Sequence, residues 1–196
     1  MVGRQAKTMG PGEQRRLLGA ANRGRMPERD RVIVLLALRA GLRAREIANL
    51  TWGMVYDATG GIGTMIEVHD AIAKRGAGRR VPMHPKLRQA LVALRRCQRP
   101  EHVEPDAVIV RSLRGDALRA NSVVNWFVAR CREAGLQGCS SHSGRRTFIT
   151  RAARAAHRAG ASLRDVQILA GHRDISTTQV YIDGDTAAQR RLVGLL

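Results

Sequence analysis

The sequence predicts a mainly α domain with one small three-stranded antiparallel sheet, an α+β arrangement. Three observations support this. Apolar residues recur with helical spacing through both ends of the chain, while glycine and β-branched residues concentrate only in residues 53–83. The length of 196 residues suits one domain, and 44% hydrophobic residues suffice for a core. No internal repeat or low-complexity stretch divides the chain.

Taken in order, residues 1–10 read as a loose basic arm. Pro11 and Gly12 then open a helix that runs to Ala21. Pro27 fits the first turn of a second helix, where Glu28 and Asp30 oppose the positive end of its dipole. Val32, Ile33, Leu35, Leu36 and Leu38 form its buried face, and Gly41 ends it. A short helix is expected over Arg43–Leu50. Met54–Tyr56, Met65–Val68 with Ala71–Ala73, and Arg79–Met83 read as three strands, the last two joined at a tight turn, Arg75-Gly76-Ala77-Gly78. Helical spacing returns at 85–98, and Ala107–Val110 is a brief extended piece. Further helices are expected at 121–134, at 142–158 ended by Gly160, and from a Ser162/Asp165 capping box to Gly171. Another begins at Ser176 and carries Tyr181, and a last one covers 185–194. The domain proper is therefore placed at 11–184, with a tail at 185–196.

Charge is the strongest compositional signal. Lysine plus arginine number 34 against 16 acidic residues, a net charge of +18, which points to a polyanionic partner, nucleic acid first. Only Lys7, Lys74 and Lys86 are lysines, so arginine supplies the phosphate-gripping capacity, and a guanidinium can hold two oxygens at once. Aromatic residues at 3% argue against a fold that stacks single-stranded bases on aromatic platforms. Cys97, Cys131 and Cys139 are odd in number and form no C-x-x-C pair, which reads as reduced thiols rather than a disulfide framework or zinc site. No apolar run is long enough for a membrane span, and the N-terminal residues lack the apolar stretch of a signal peptide. The expected compartment is the cytoplasm, in association with the nucleoid, with no membrane.

The chemistry is concentrated in the last third. His142-Ser143-Gly144-Arg145 is followed by Gly171-His172 and, nine residues on, by Tyr181, one of only two tyrosines. Arginine can grip phosphate oxygens, histidine can donate a hydrogen bond or move a proton, and tyrosine can act as nucleophile. Together these break a phosphodiester without a metal. His142 and Arg145 are three apart on a helix and share a face in its first turn, where free N–H groups favour an anion.

Ser141-His142-Ser143-Gly144-Arg145-Arg146-Thr147-Phe148-Ile149-Thr150 resembles the second box of the tyrosine recombinase, or phage integrase, family. Leu169 to Tyr181 resembles that family's closing motif, Ala40 to Trp52 its first box, and Ala73 to Met83 its lysine hairpin. The resemblance covers residues 12–190 and implies the family's catalytic-domain fold. It departs from the family at Gly144, where an apolar residue is common and where the first helical turn could loosen, and at Arg146, where a histidine is frequent. It also implies a separate DNA-clamping domain in front, where this chain has residues 1–10, so an accessory DNA-binding protein is expected to replace the clamp.

By resemblance, the catalytic set is Arg43, Lys74, His142, Arg145, His172 and Tyr181, with Glu46 as a structural partner. Tyr181 would attack the scissile phosphate to give a 3′-phosphotyrosyl link and a free 5′-hydroxyl, conserving the bond energy so that no cofactor, metal or ATP is implied. Arg43, Arg75, Arg79, Arg145 and Arg146 are expected to contact double-stranded DNA. The resemblance implies site-specific recombination or integration by a homotetramer on DNA, with the tail docking into a neighbouring subunit. Two other readings share the scaffold: a type IB-like nicking and resealing enzyme, and a basic DNA-binding protein without catalysis.

Overall fold

The structure is a computed structural model that describes residues 6–73, 76–115, 117–181 and 193–194. Eight helices are described: α1 (Pro11–Asn22), α2 (Pro27–Arg39), α3 (Ala44–Asn49), α4 (Pro85–Arg96), α5 (Ala120–Glu133), α6 (Ser141–Ala156), α7 (Leu163–Ala170) and α8 (Ile175–Gln179). One antiparallel hairpin, β1 (Met65–Val68) and β2 (Arg79–Pro82), pairs Met65 with Pro82 and Val68 with Arg79. The chain is thus mainly helical with a small antiparallel sheet.

Helix boundaries fall where the local chemistry puts them. Pro11, Pro27 and Pro85 each occupy a first turn, where the missing N–H has no partner to lose. Glu13 accepts the Gly10 N–H at 2.8 Å, and Asp165 accepts the Ser162 N–H at 2.8 Å, closing the expected capping box of α7. Gly171 closes α7 in the left-handed conformation with φ 60°.

The core is organised around α2. Val32 to Leu38 are all buried, so this helix is apolar on every side rather than on one stripe. Helices α1, α4 and α6 pack around it. The contact with α6 is unusually close: a Cβ added to Gly144 would lie 2.8 Å from the Ala37 Cβ. Gly144 does not loosen the first turn of α6. It lets that turn settle onto α2, which fixes the height of Arg145 one residue later. A second, smaller core of Ile149, Val166 and Ala170 holds α7 onto α6, and α8 packs on α7.

The sheet differs from expectation. Among the described residues it has two strands. Gly53–Val55 form a single 3-10 turn, because the Val55 and Tyr56 N–H groups both return to the Trp52 carbonyl, at 3.0 and 3.1 Å. Tyr56 keeps only an isolated bridge to Ile62. Ala71–Ala73 do not extend β1 either. They form a turn in which Ile72 and Ala73 donate to the His69 carbonyl, and the Asp70 carboxylate then accepts the Gly78 N–H at 2.7 Å to close the loop.

Within the expected arm, Lys7 and Met9 are tied to the domain. Lys7 donates to the Gln137 carbonyl, and buried Met9 donates its N–H to Thr147 Oγ1 on α6 at 2.8 Å. The expected helix at 185–194 lies outside the described residues apart from 193 and 194. No helix among the described residues is long and apolar enough to cross a membrane.

Candidate active site

The site is assembled where the ends of four elements meet. Gly41, with φ 63°, ends α2 and turns the chain so that Arg43 becomes the N-cap of α3. There the Glu46 carboxylate accepts the Arg43 N–H at 2.8 Å and its guanidinium at 2.9 Å. The other end of the Arg43 guanidinium donates to the Gly171 carbonyl at 3.3 Å, 128 residues away.

Glu46 is fully buried and holds a second guanidinium. Arg79 on β2 donates through both Nη atoms to its two oxygens, at 2.9 and 3.0 Å, and through Nε to the Leu169 carbonyl at 2.9 Å. Burial alone would push the Glu46 carboxyl up. The hydrogen bonds and charges of Arg79, followed by those of Arg43, outweigh burial and hold it at about 2. Arg79, expected to contact DNA, has a side chain only 3% exposed, and it lies behind the site as a tie between α3, β2 and α7. Its charge is met by the Glu46 carboxylate, whereas the Arg145 guanidinium meets only neutral acceptors.

Arg145, on α6, is 7% exposed. Its Nη1 donates to the Gly41 carbonyl at 2.5 Å, and its Nη2 to the Ala170 carbonyl at 2.5 Å. Burial, then the neighbouring charge of Arg43, lowers its proton affinity to about 9. Guanidinium is the last side chain to surrender its proton, so the meaning is electrostatic: a positive charge sits here that an anion would stabilise. Arg43, Arg79 and Arg145 face one carboxylate, that of Glu46.

His172 follows the left-handed Gly171. Gln167 steadies this turn by donating to the His172 and Arg173 carbonyls at 3.0 and 3.2 Å. The imidazole Nε2 lies 3.2 Å from Arg145 Nη2, and Nδ1 lies 3.0 Å from Thr178 Oγ1. Arginine can only donate, which makes Nε2 the acceptor and Nδ1 the protonated nitrogen facing Thr178. Burial, then the charges of Arg145, Arg43 and Arg79, lowers the imidazole to about 4, so it is neutral near pH 7.

Tyr181 stacks on that imidazole, with ring centroids 5.8 Å apart and an interplanar angle of 23°. The Arg146 guanidinium also lies over the ring, 5.3 Å from its centroid. The residue does not ride within a helix, as its spacing suggested. α8 ends at Gln179, and the Tyr181 N–H caps the Thr178 carbonyl at 3.0 Å.

Of the residues singled out from sequence, Arg43, Arg145, His172 and Tyr181 are thus brought together, with Arg146 at the edge. His142 lies exposed in the first turn of α6. Lys74 and Arg75 fall outside the described residues. Sequence reasoning missed the tie made by Arg79 and the grip of Thr178 and Gln167 on the His172 turn. The only local signal for the latter was their position five and six residues from His172.

Residues 7–187 match the phage integrase family. The chain belongs to this family. The phage integrase match is supported by tyrosine recombinase XerD of Pseudomonas putida, 31% identical over 182 residues, which span 89% of this chain and 56% of that protein. The fold is that of the crystal structure of XerA recombinase, with a TM-score of 0.72 at 23% identity, covering all of this chain and 65% of that one. It is also that of the Tn1549 transposon integrase in complex with a circular intermediate DNA, with a TM-score of 0.77 at 19% identity, covering all of this chain and 67% of that one. The chain spans about half the length of the curated relatives it matches.

Proposed function

We propose that this chain is the catalytic part of a site-specific DNA recombinase that cuts and rejoins double-stranded DNA through a 3′-phosphotyrosyl intermediate. The observation that carries this reading is the continuous contact from Arg43 and Arg145 through His172 to the Tyr181 ring, in a pocket with excess positive charge. Nothing in the mechanism calls on a cofactor or metal: the phenol oxygen attacks phosphorus, the 3′ side is retained on Tyr181, and the 5′ oxygen leaves with a proton.

Arg145 carries five N–H donors, and three of them reach Gly41, Ala170 and His172. The remaining two, with the exposed part of Arg43, are free to bind non-bridging oxygens and offset charge that develops in the transition state. His172 begins as an acceptor from Arg145. A phosphate entering beside it would draw the Arg145 N–H away and supply the negative charge that restores proton affinity to Nε2, allowing it to donate to the same phosphate. Glu46 and Arg79 act as positioning residues behind these donors. Lys74 is the proposed donor to the leaving 5′ oxygen, Arg75 and Arg146 contact flanking phosphates, and His142 orients its neighbours or accepts the phenolic proton.

Strand exchange then needs four such centres, so the active form is a homotetramer on DNA, with residues 185–196 docking into an adjacent subunit and an accessory DNA-binding protein assisting site selection. The reaction occurs in the cytoplasm at the nucleoid.

The test uses a nicked suicide duplex, from which the short strand beyond the cut diffuses away and traps the intermediate. Wild-type protein should give a gel-shifted adduct that protease removes, and Tyr181→Phe should bind the same duplex and give none. An adduct formed by Tyr181→Phe would refute the assignment. Arg43→Gln or Arg145→Gln should slow adduct formation by ~10²–10³ while leaving duplex binding within a few-fold, the scale for losing one preorganised donor. Relaxation of a plasmid lacking any recombination site would instead identify a nicking and resealing enzyme.

A further inference from the structure

A second cationic cavity lies away from the catalytic centre, between the C-terminal end of α2, the start of α4 and the outer half of α6. Its volume is about 650 Å³. The floor is apolar, built from Leu38, Phe148 and Ala152, while Arg39, His84, Lys86 and Arg151 stand around it. No acidic residue is among the described residues that line it.

Arg39 and Arg151 meet no carboxylate among the described residues, unlike the guanidiniums around Glu46. Arg39 and Arg151 both turn a guanidinium nitrogen onto one neutral acceptor, the Gln14 side-chain oxygen, at 3.1 and 3.2 Å. Two like charges thus converge on a single amide oxygen. Consistently, burial and then the charge of Arg151 weaken proton binding at Arg39, while burial followed by Arg39, Lys86 and Arg151 weakens it at His84. Bringing the exposed Arg151 charge against the half-buried Arg39 costs free energy, and an oxyanion between them would remove that cost and offer both guanidiniums a bidentate partner. Such an anion would sit over Phe148, whose ring packs against Gly41 at the end of α2. Gly41 also supplies the carbonyl that holds Arg145, so the cavity and the catalytic arginine share a wall.

We propose that Arg39, Arg151, Lys86 and His84 form a binding site for a phosphate group, separate from the catalytic centre. The apolar floor and the volume admit the group either free on a nucleotide or as part of a DNA backbone, and the two sources share the same recognition chemistry. The site does not depend on the catalytic reading, since its prediction concerns binding alone.

The experiment compares the whole protein with Arg151→Gln and with Lys86→Gln, both exposed positions whose replacement leaves the core untouched. Thermal unfolding of each variant verifies that the fold is retained. Calorimetric titration with inorganic phosphate and with ADP tests the free source. The salt dependence of binding to a duplex without a recombination site tests the backbone source. Saturable binding of phosphate or ADP, weakened at least ten-fold by Arg151→Gln, would establish the site with a free ligand. Failing that, a fall of about one in the slope of log affinity against log salt for each lost charge would establish it with DNA as the source. If the free anions do not bind and both variants retain the wild-type slope, the proposal is overturned. Tyr181 adduct formation on the suicide duplex, measured in parallel, separates this result from any failure of the recombinase reading.

Discussion

A single carboxylate, Glu46, stands against Arg43, Arg79 and Arg145, and its protonation state decides whether those charges are held in place. Its proton affinity is lower folded than unfolded, at about 2. Its contribution to stability is therefore fully present above the ordinary carboxylate value and is lost as pH falls toward about 2. Glu46→Gln leaves the buried Arg79 charge without its partner and should destabilise the fold by about 3–5 kcal/mol near neutral pH, the range for removing one member of a buried pair. His172 works in the same direction over a higher pH range. Its folded value, about 4, lies below the ordinary 6.5, so the unfolded chain binds the proton more readily, and wild-type stability should fall as pH drops from 6.5 to 4. His172→Gln should flatten that segment of a plot of melting temperature against pH. An unchanged segment would show that the imidazole is not desolvated as described. At this scale Arg43, Arg145, His172 and Tyr181 were legible in the sequence, because each sits in a short motif whose neighbours identify it. The tie of Arg79 to Glu46 was not legible, because the two are 33 residues apart and sequence gives a lone arginine beside a hairpin every appearance of a surface charge.

At the scale of elements, the helix ends were legible because proline, glycine and capping residues act through their own backbone and need no tertiary partner. The extra strand at Met54–Tyr56 was not, since an apolar triplet is compatible with a strand or a tight turn, and hydrogen bonds back to Trp52 settle the choice. Gly144 shows the same division. Its helical position was plain, but its purpose depends on Ala37 from a different helix. Gly144→Ala should gain about 1 kcal/mol of helix propensity and lose about 1–3 kcal/mol to overpacking against α2. The expected result is a lower melting temperature, restored when Ala37→Gly is added. A Gly144→Ala protein as stable as wild type would mean that α6 shifts freely and does not fix Arg145. The size of the cores gives a further expectation. Residues 163–181 rest on three buried apolar side chains, whereas residues 32–38 of α2 are all buried. Amide exchange should therefore be faster in α7 and α8 than in α2, because local opening costs less where fewer apolar contacts break. Uniform protection across both regions would contradict this. Such opening lies on the segment that carries the proposed nucleophile, so under that proposal it bears on how Tyr181 would reach phosphorus.

For the whole molecule, the net charge of +18 was the earliest signal and the least specific. It implies a polyanionic partner and a steep salt dependence, but does not distinguish a recombinase from any other basic protein. The proposal of a recombinase rests instead on the convergence of α3, α6, α7 and the segment after α8 around Arg145 and His172, which no composition reveals. Deleting residues 185–196 should leave a single protein able to bind a half-site and prevent assembly of the tetramer on DNA, as read by analytical ultracentrifugation of the complex. Unchanged assembly would remove the tail from the mechanism. The most direct measurement maps the covalent bond itself. Adduct trapped on a suicide duplex is digested with protease and nuclease, and the nucleotide-bearing peptide is sequenced by tandem mass spectrometry. The nucleotide should sit on Tyr181, joined through a 3′-phosphate, with a free 5′-hydroxyl on the released strand. A phosphate attached to any other residue, or a 5′-phosphotyrosyl link, would contradict the account.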